Sequence, residues 1–89
     1  QIGDKARQII IKVDRHQAPY VESKPFHKSQ KIEQRFADGS IELSLKVVVN
    51  NELVRLILGY GEHVEVISPP GFRDRIAKCV ANASKQYDT

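Results

Sequence analysis

From Asp38 to Val49 the chain reads Asp-Gly-Ser and then nine residues in which apolar and polar side chains nearly alternate. Ile41, Leu43, Leu45, Val47 and Val49 fall on one side, with Glu42, Ser44 and Lys46 on the other. A period of two is the signature of a strand with one buried face, and slipping the register by one residue would turn every apolar side chain to water. The Asp38-Gly39 step supplies a tight turn, because glycine accepts a positive φ without steric cost. Lys31–Phe36, which alternates weakly, becomes the partner strand of a hairpin. A hairpin cannot bury its apolar face alone, so the rest of the chain must cover it.

The flanking segments supply that cover. Arg7–Asp14 is short and β-branched and reads as a strand, with Ile9, Ile11 and Val13 on one face. His16–Lys24 is expected to be a short helix, with Asp14 or His16 near its cap, Tyr20 and Val21 facing inward and Pro25 ending it. After the hairpin, Asn50-Asn51 offers a cap for a helix carrying Leu53, Leu56 and Ile57 inward and Leu58 at the rim. Gly59 and Gly61 stop it. His63–Ile67 alternates again as a fourth strand. Ser68, followed by two prolines, reads as the cap of a last helix, and Phe72, Ile76, Val80, Ala83 and Tyr87 recur along it at three-to-four spacing.

The resulting order is an α+β fold, a ferredoxin-like βαββαβ two-layer sandwich with an additional C-terminal helix. Right-handed crossovers put the first two helices on one face of a sheet ordered 4-1-3-2. The other face is then half apolar, with Ile10, Val48 and Ile67 among Lys12, Lys46, His63 and Glu65. Such a face is usually covered, by the last helix or by another domain or protomer. At 89 residues the chain is one domain. A domain of this size buries about 60–65% of its unfolded surface, so a partner chain would add appreciably to its stability.

Composition removes several function classes. An apolar share of 40% is too high for a disordered tail, and no window approaches a membrane span. Residues 1–36 hold eight Lys or Arg against four Asp or Glu, and residues 37–89 hold six against seven. That excess is far below the footprint of a dedicated nucleic-acid domain. His16, His27 and His63 form no metal-ligand spacing, so no metal and no cofactor are expected. Cys79 lies in the last helical pattern as a packed thiol. The loop Asp14-Arg15-His16-Gln17 has no glycine to wrap a phosphate, which argues against an acylphosphatase. The outward positions of the central strands offer no aromatic for stacking RNA bases. No catalytic constellation emerges, and the chain is expected not to be an enzyme. A start at Gln1 reads as a fragment of a longer protein.

The loop Pro25-Phe26-His27-Lys28-Ser29-Gln30 has two readings. In one it is local, with Ser29 and Gln30 bonding backbone and Phe26 plugging the core edge. In the other His27, Lys28, Ser29 and Gln30 present donors to a partner or effector.

These residues also resemble a known family. The His27-to-Gln30 loop is similar to the HxSQ loop near the C-terminus of bacterial WYL-family transcriptional regulators. The resemblance continues through Asp38-Gly39-Ser40 and its strand, Glu52–Gly61, Val64–Pro69 and Phe72–Ile76, covering about residues 7–87. It implies a C-terminal extension of the WYL module, with residues 1–6 as a linker remnant from a preceding WYL barrel and 88–89 as a tail. It further implies a cytoplasmic regulator in which a winged helix-turn-helix binds DNA and the barrel senses an effector, in some members a single-stranded nucleic acid. The extension would form a homodimer and couple these parts. Lys28 stands where the family has proline, Phe26 where it often has tryptophan, and the WYL tripeptide is absent from this chain. For phosphate or nucleic-acid contact the candidates are Arg15, Arg35, Arg73, Arg75 and Lys78. The alternative function is an ACT-like small-molecule-binding regulatory domain, although that type usually has glycine in the first strand–helix loop.

Overall fold

A computed structural model describes residues 5–88. The elements are β1 (Ala6–Val13), α1 (Ala18–Ser23), β2 (Lys31–Arg35), β3 (Ile41–Val48), α2 (Asn51–Gly59), a 3-10 turn (Gly61–His63), β4 (Val64–Ser68) and α3 (Pro70–Lys85). The sheet order is β2-β3-β1-β4, and every neighbouring pair is antiparallel. This is the expected 4-1-3-2 arrangement, a ferredoxin-like sandwich with one further helix.

The hairpin sets the sheet. Gly39 takes φ +92°, and a Cβ there would lie 3.0 Å from the Arg15 Cβ, so the turn requires glycine for conformation and for space. Ile41, Leu43 and Leu45 of β3 face the core beside Ile9, Ile11 and Val13 of β1 and Val64 and Val66 of β4. Ala18 and Val21 close this layer from α1, and Leu53, Val54 and Ile57 close it from α2. Asn50 caps α2 by accepting the Leu53 N–H at 2.9 Å.

Some expectations are corrected. Tyr20 is exposed; a helix of six residues presents a single inward face, which Ala18 and Val21 fill. On α2 the buried face is centred between Leu53 and Val54. Leu56 then lies ~100° around the helix from that centre and is 40% exposed, while Val54 is buried. Ser44 points away from the core as expected, yet it is buried, because its hydroxyl donates to Glu33 at 2.6 Å and the carboxylate covers it. Ser68 does not cap α3. A register shift between Ile10 and Ile11 lets it pair with Ile10 as the last residue of β4, and Pro69 takes the cap position. Of the expected linker remnant, Ala6 belongs to β1 and Lys5 is an exposed bend ahead of it; its residues 1–4, and residue 89 of the expected tail, lie outside the described residues.

The last helix resolves the choice left by the sequence. α3 packs against β4 and α2, and Phe72 and Ile76 join the core that α1 and α2 cover. It extends the helical layer beyond β4 and leaves the other sheet face open. Val80, Ala83 and Tyr87, the second half of its expected apolar series, stay exposed.

Candidate functional site

The loop from Pro25 to Gln30 is held by its own side chains. Gln30 Oε1 accepts the Phe26 N–H at 2.9 Å, and Gln30 Nε2 donates to the Val21 carbonyl at 3.1 Å. Val21 lies in the last turn of α1, where carbonyls lack helical partners, so this amide ties the loop to the helix end. The Phe26 ring stands edge-on to Tyr60, with centroids 5.1 Å apart, and anchors the loop beside the end of α2.

Ser29 joins the loop to the sheet. Its Oγ accepts the Lys46 N–H at 2.8 Å and lies 3.2 Å from the Lys46 carbonyl, to which it donates. β2 starts at Lys31, opposite Ser44. Continuing that register sets Ser29 opposite Lys46, so the serine side chain replaces the next rung of the ladder. His27 Nδ1 accepts the Ser29 N–H at 3.1 Å and lies 2.8 Å from Ser29 Oγ. An accepting Nδ1 puts the neutral ring's proton on Nε2.

Of the four loop candidates, Ser29 and Gln30 therefore spend their hydrogen bonds within the chain. His27 and Lys28 are exposed. Ser29 also lines a hollow of about 370 Å³ with Gln8, Lys31, Glu33, Ser44 and Lys46 on the open sheet face. Ile10, Val48 and Ile67 on that face are half-buried.

The five basic candidates are not brought into one patch. Arg35, on the β2 edge, makes two 3.0 Å bonds to Glu22 of α1. Arg73, beside the opposite edge strand, donates to Glu65 and to the Val66 carbonyl, both at 2.7 Å. Arg75 donates to Asn51, and Lys78 pairs with Asp74 at 3.1 Å. Arg15 is exposed and stacks its Cβ over Gly39.

Two features depend on pairings that local sequence does not show. Arg7 and Arg75 line one cleft of about 370 Å³ with Val49, Pro69, Gly71 and Phe72, with no carboxylate among the described residues that line it. Asp14 and His63, at the meeting ends of β1 and β4, share a 2.6 Å bond from Nδ1 to Oδ2. Asp14 also accepts the His16 and Gln17 N–H groups ahead of α1. The His63 bond, aided by those N–H groups, holds the Asp14 carboxyl below its ordinary range against the opposing effect of burial. The same bond raises the His63 imidazole above its ordinary range.

Among the described residues, no group of three or more His, Cys, Asp and Glu could hold a metal ion, and no helix is long and apolar enough to cross a membrane. The WCX domain family matches the chain over residues 5–83, a span that begins just before β1 and runs through most of α3. No curated protein matches the chain.

Proposed function

The chain belongs to the WCX domain family, the C-terminal extension of WYL-domain regulators, and we propose that it pairs two such chains and couples effector sensing to DNA binding without chemistry of its own. The membership gives it a regulatory setting. The pairing and the coupling are our reading, and one observation supports the coupling: among the described residues the sheet face holding Ile10, Val48 and Ile67 has no helix packed over it, and the Pro25–Gln30 loop stands at its rim. A rigid loop beside an uncovered, half-apolar face suits a neighbouring folded domain better than a flexible or catalytic role.

On this reading the face and the loop meet the WYL barrel of the parent chain. His27 Nε2 and Lys28 supply exposed donors, while Ser29 and Gln30 hold the loop in shape. DNA is bound by the winged-helix part of the parent, and a site of action in the cytoplasm goes with that role. The test uses the intact regulator. Lys28→Glu and His27→Ala should weaken the effector's influence on DNA affinity and leave DNA affinity without effector unchanged. An unaltered effector response in both variants would remove the coupling role from this loop.

The cleft between Arg7 and Arg75 favours a second contact, to a phosphate of the effector or of DNA, because two cations line it with no carboxylate among its described lining residues. Reversing Arg7 to Glu should weaken binding of a single-stranded oligonucleotide and flatten its salt dependence. Stabilisation by free amino acids, with none by oligonucleotides, would favour the ACT-like small-molecule role instead.

A further inference from the structure

The cleft lined by Arg7 and Arg75 lies where α3 begins, and the fold leaves that helix start uncapped. Ser68, the residue expected to cap it, is drawn into β4 by the register shift against β1, and Pro69 takes the cap position with Pro70 behind it. Neither proline has a side chain that can accept an N–H, and the first turn holds no acidic residue. The first backbone bond of α3 runs from the Arg73 N–H to the Pro69 carbonyl, so the Gly71 and Phe72 N–H groups have no helical acceptor. Both residues line the cleft, and Gly71 has no side chain to stand between these groups and a ligand. Arg7 comes to the same place from the sheet, since a period of two puts it on the face of β1 that carries Ile9 and Ile11. Arg75 follows one turn into α3 and also donates to Asn51 at the start of α2. The neighbouring carboxylate, Asp74, is engaged by Lys78 at 3.1 Å.

We infer that this cleft holds a terminal phosphate, a phosphomonoester, in preference to the phosphodiester of a strand interior. The inference rests on the second contact proposed above and names the group that makes it. Charge and donor number select that group. Two guanidinium groups line the cleft, and the helix start adds roughly half a positive charge to theirs. A phosphodiester offers one negative charge on two free oxygens. A phosphomonoester offers about −1.5 to −2 near neutral pH, on three. A guanidinium binds two oxygens side by side, so two arginines on a diester would compete for the same pair and leave positive charge over. On a monoester they share three oxygens, and the Gly71 and Phe72 N–H groups complete the set. The volume of about 370 Å³ lies at the small end of ligand pockets, roughly 300–1,000 Å³, and suits a phosphate with its sugar better than a run of bases. Val49, Pro69 and Phe72 give the cleft apolar walls, beside which charged hydrogen bonds gain strength. The 5′ end of a strand and a free nucleoside monophosphate carry this group alike.

The test compares binding of the chain to a short oligothymidylate labelled at its 3′ end, with either a 5′ phosphate or a 5′ hydroxyl. The phosphorylated strand should bind about tenfold or more tightly, the worth of one charge-assisted hydrogen bond. Arg7→Gln and Arg75→Gln should each remove most of that advantage, with unchanged far-UV spectra and unchanged binding of the hydroxyl strand. Arg55→Gln, at an exposed position of α2 outside the cleft, should keep it. Displacement of the phosphorylated strand by thymidine 5′-monophosphate and not by thymidine would support the site and make a free nucleotide sufficient. No displacement, with the advantage of the phosphorylated strand kept, would support the site and require the strand. An advantage that survives in both Arg7→Gln and Arg75→Gln would overturn the cleft as its source. Equal binding of the two strands, weakened alike by both variants, would overturn selection of the terminal group and leave the phosphate contact standing. No binding of either strand would overturn both.

Discussion

The Ser29 hydroxyl takes the Lys46 N–H at 2.8 Å and so completes a strand pairing that β2 is too short to make. A side chain doing the work of a backbone rung carries a definite cost when removed. Ser29→Ala should destabilise the domain by about 0.5–1.5 kcal/mol, the net worth of exposed hydrogen bonds to backbone groups of β3. For a domain of this size that is a fall in melting temperature of roughly 2–12 °C, readable by circular dichroism. An unchanged melting temperature would mean that water replaces the hydroxyl at no cost.

The Asp14–His63 pair makes stability depend on pH with a defined sign. The raised His63 imidazole contributes stability that is complete below its unfolded value near ~6.5 and is lost as pH rises through its folded value. The lowered Asp14 carboxyl contributes above about 3.9 and is lost as pH falls through its folded value. Glu62, 4.0 Å from His63 Nε2, adds to the upward shift. The melting-temperature difference between wild type and His63→Gln should therefore be largest from about pH 4 to about pH 6.5 and shrink on either side. A difference constant up to about pH 9 would show a neutral hydrogen bond in place of the ion pair.

α2 gives a contrast within one helix. Val54→Ala should cost about 2 kcal/mol, because Val54 is 7% exposed and packs in the core. Leu56→Ala removes a larger side chain from a position 40% exposed and should cost roughly 0.5 kcal/mol or less. Urea titrations of both variants check the order, and the reverse order would reverse the face that α2 presents to the sheet.

The layout of the fold was legible because its alternating strands and its Asp38-Gly39 turn are local. The strand order followed from crossover handedness. The inward faces of the short helices were not legible in full. Tyr20 and Leu56 are as apolar as their neighbours, and only the docking angle of each helix separates core from rim. The loop was singled out from its composition, but its mechanics needed the register of β3. Lys46 is unremarkable in sequence and becomes the anchor for Ser29 only once β2 is known to start at Lys31. The Arg7–Arg75 cleft and the Asp14–His63 bond were hidden for the same reason. Their members lie far apart in the chain and meet through the pairing of β1 with its neighbours.

Pairing is tested most directly by sedimentation equilibrium of the chain at neutral pH over a range of concentrations. The expected mass approaches twice the 10.1 kDa of the monomer as concentration rises. A mass that stays at 10.1 kDa throughout would contradict pairing by this domain.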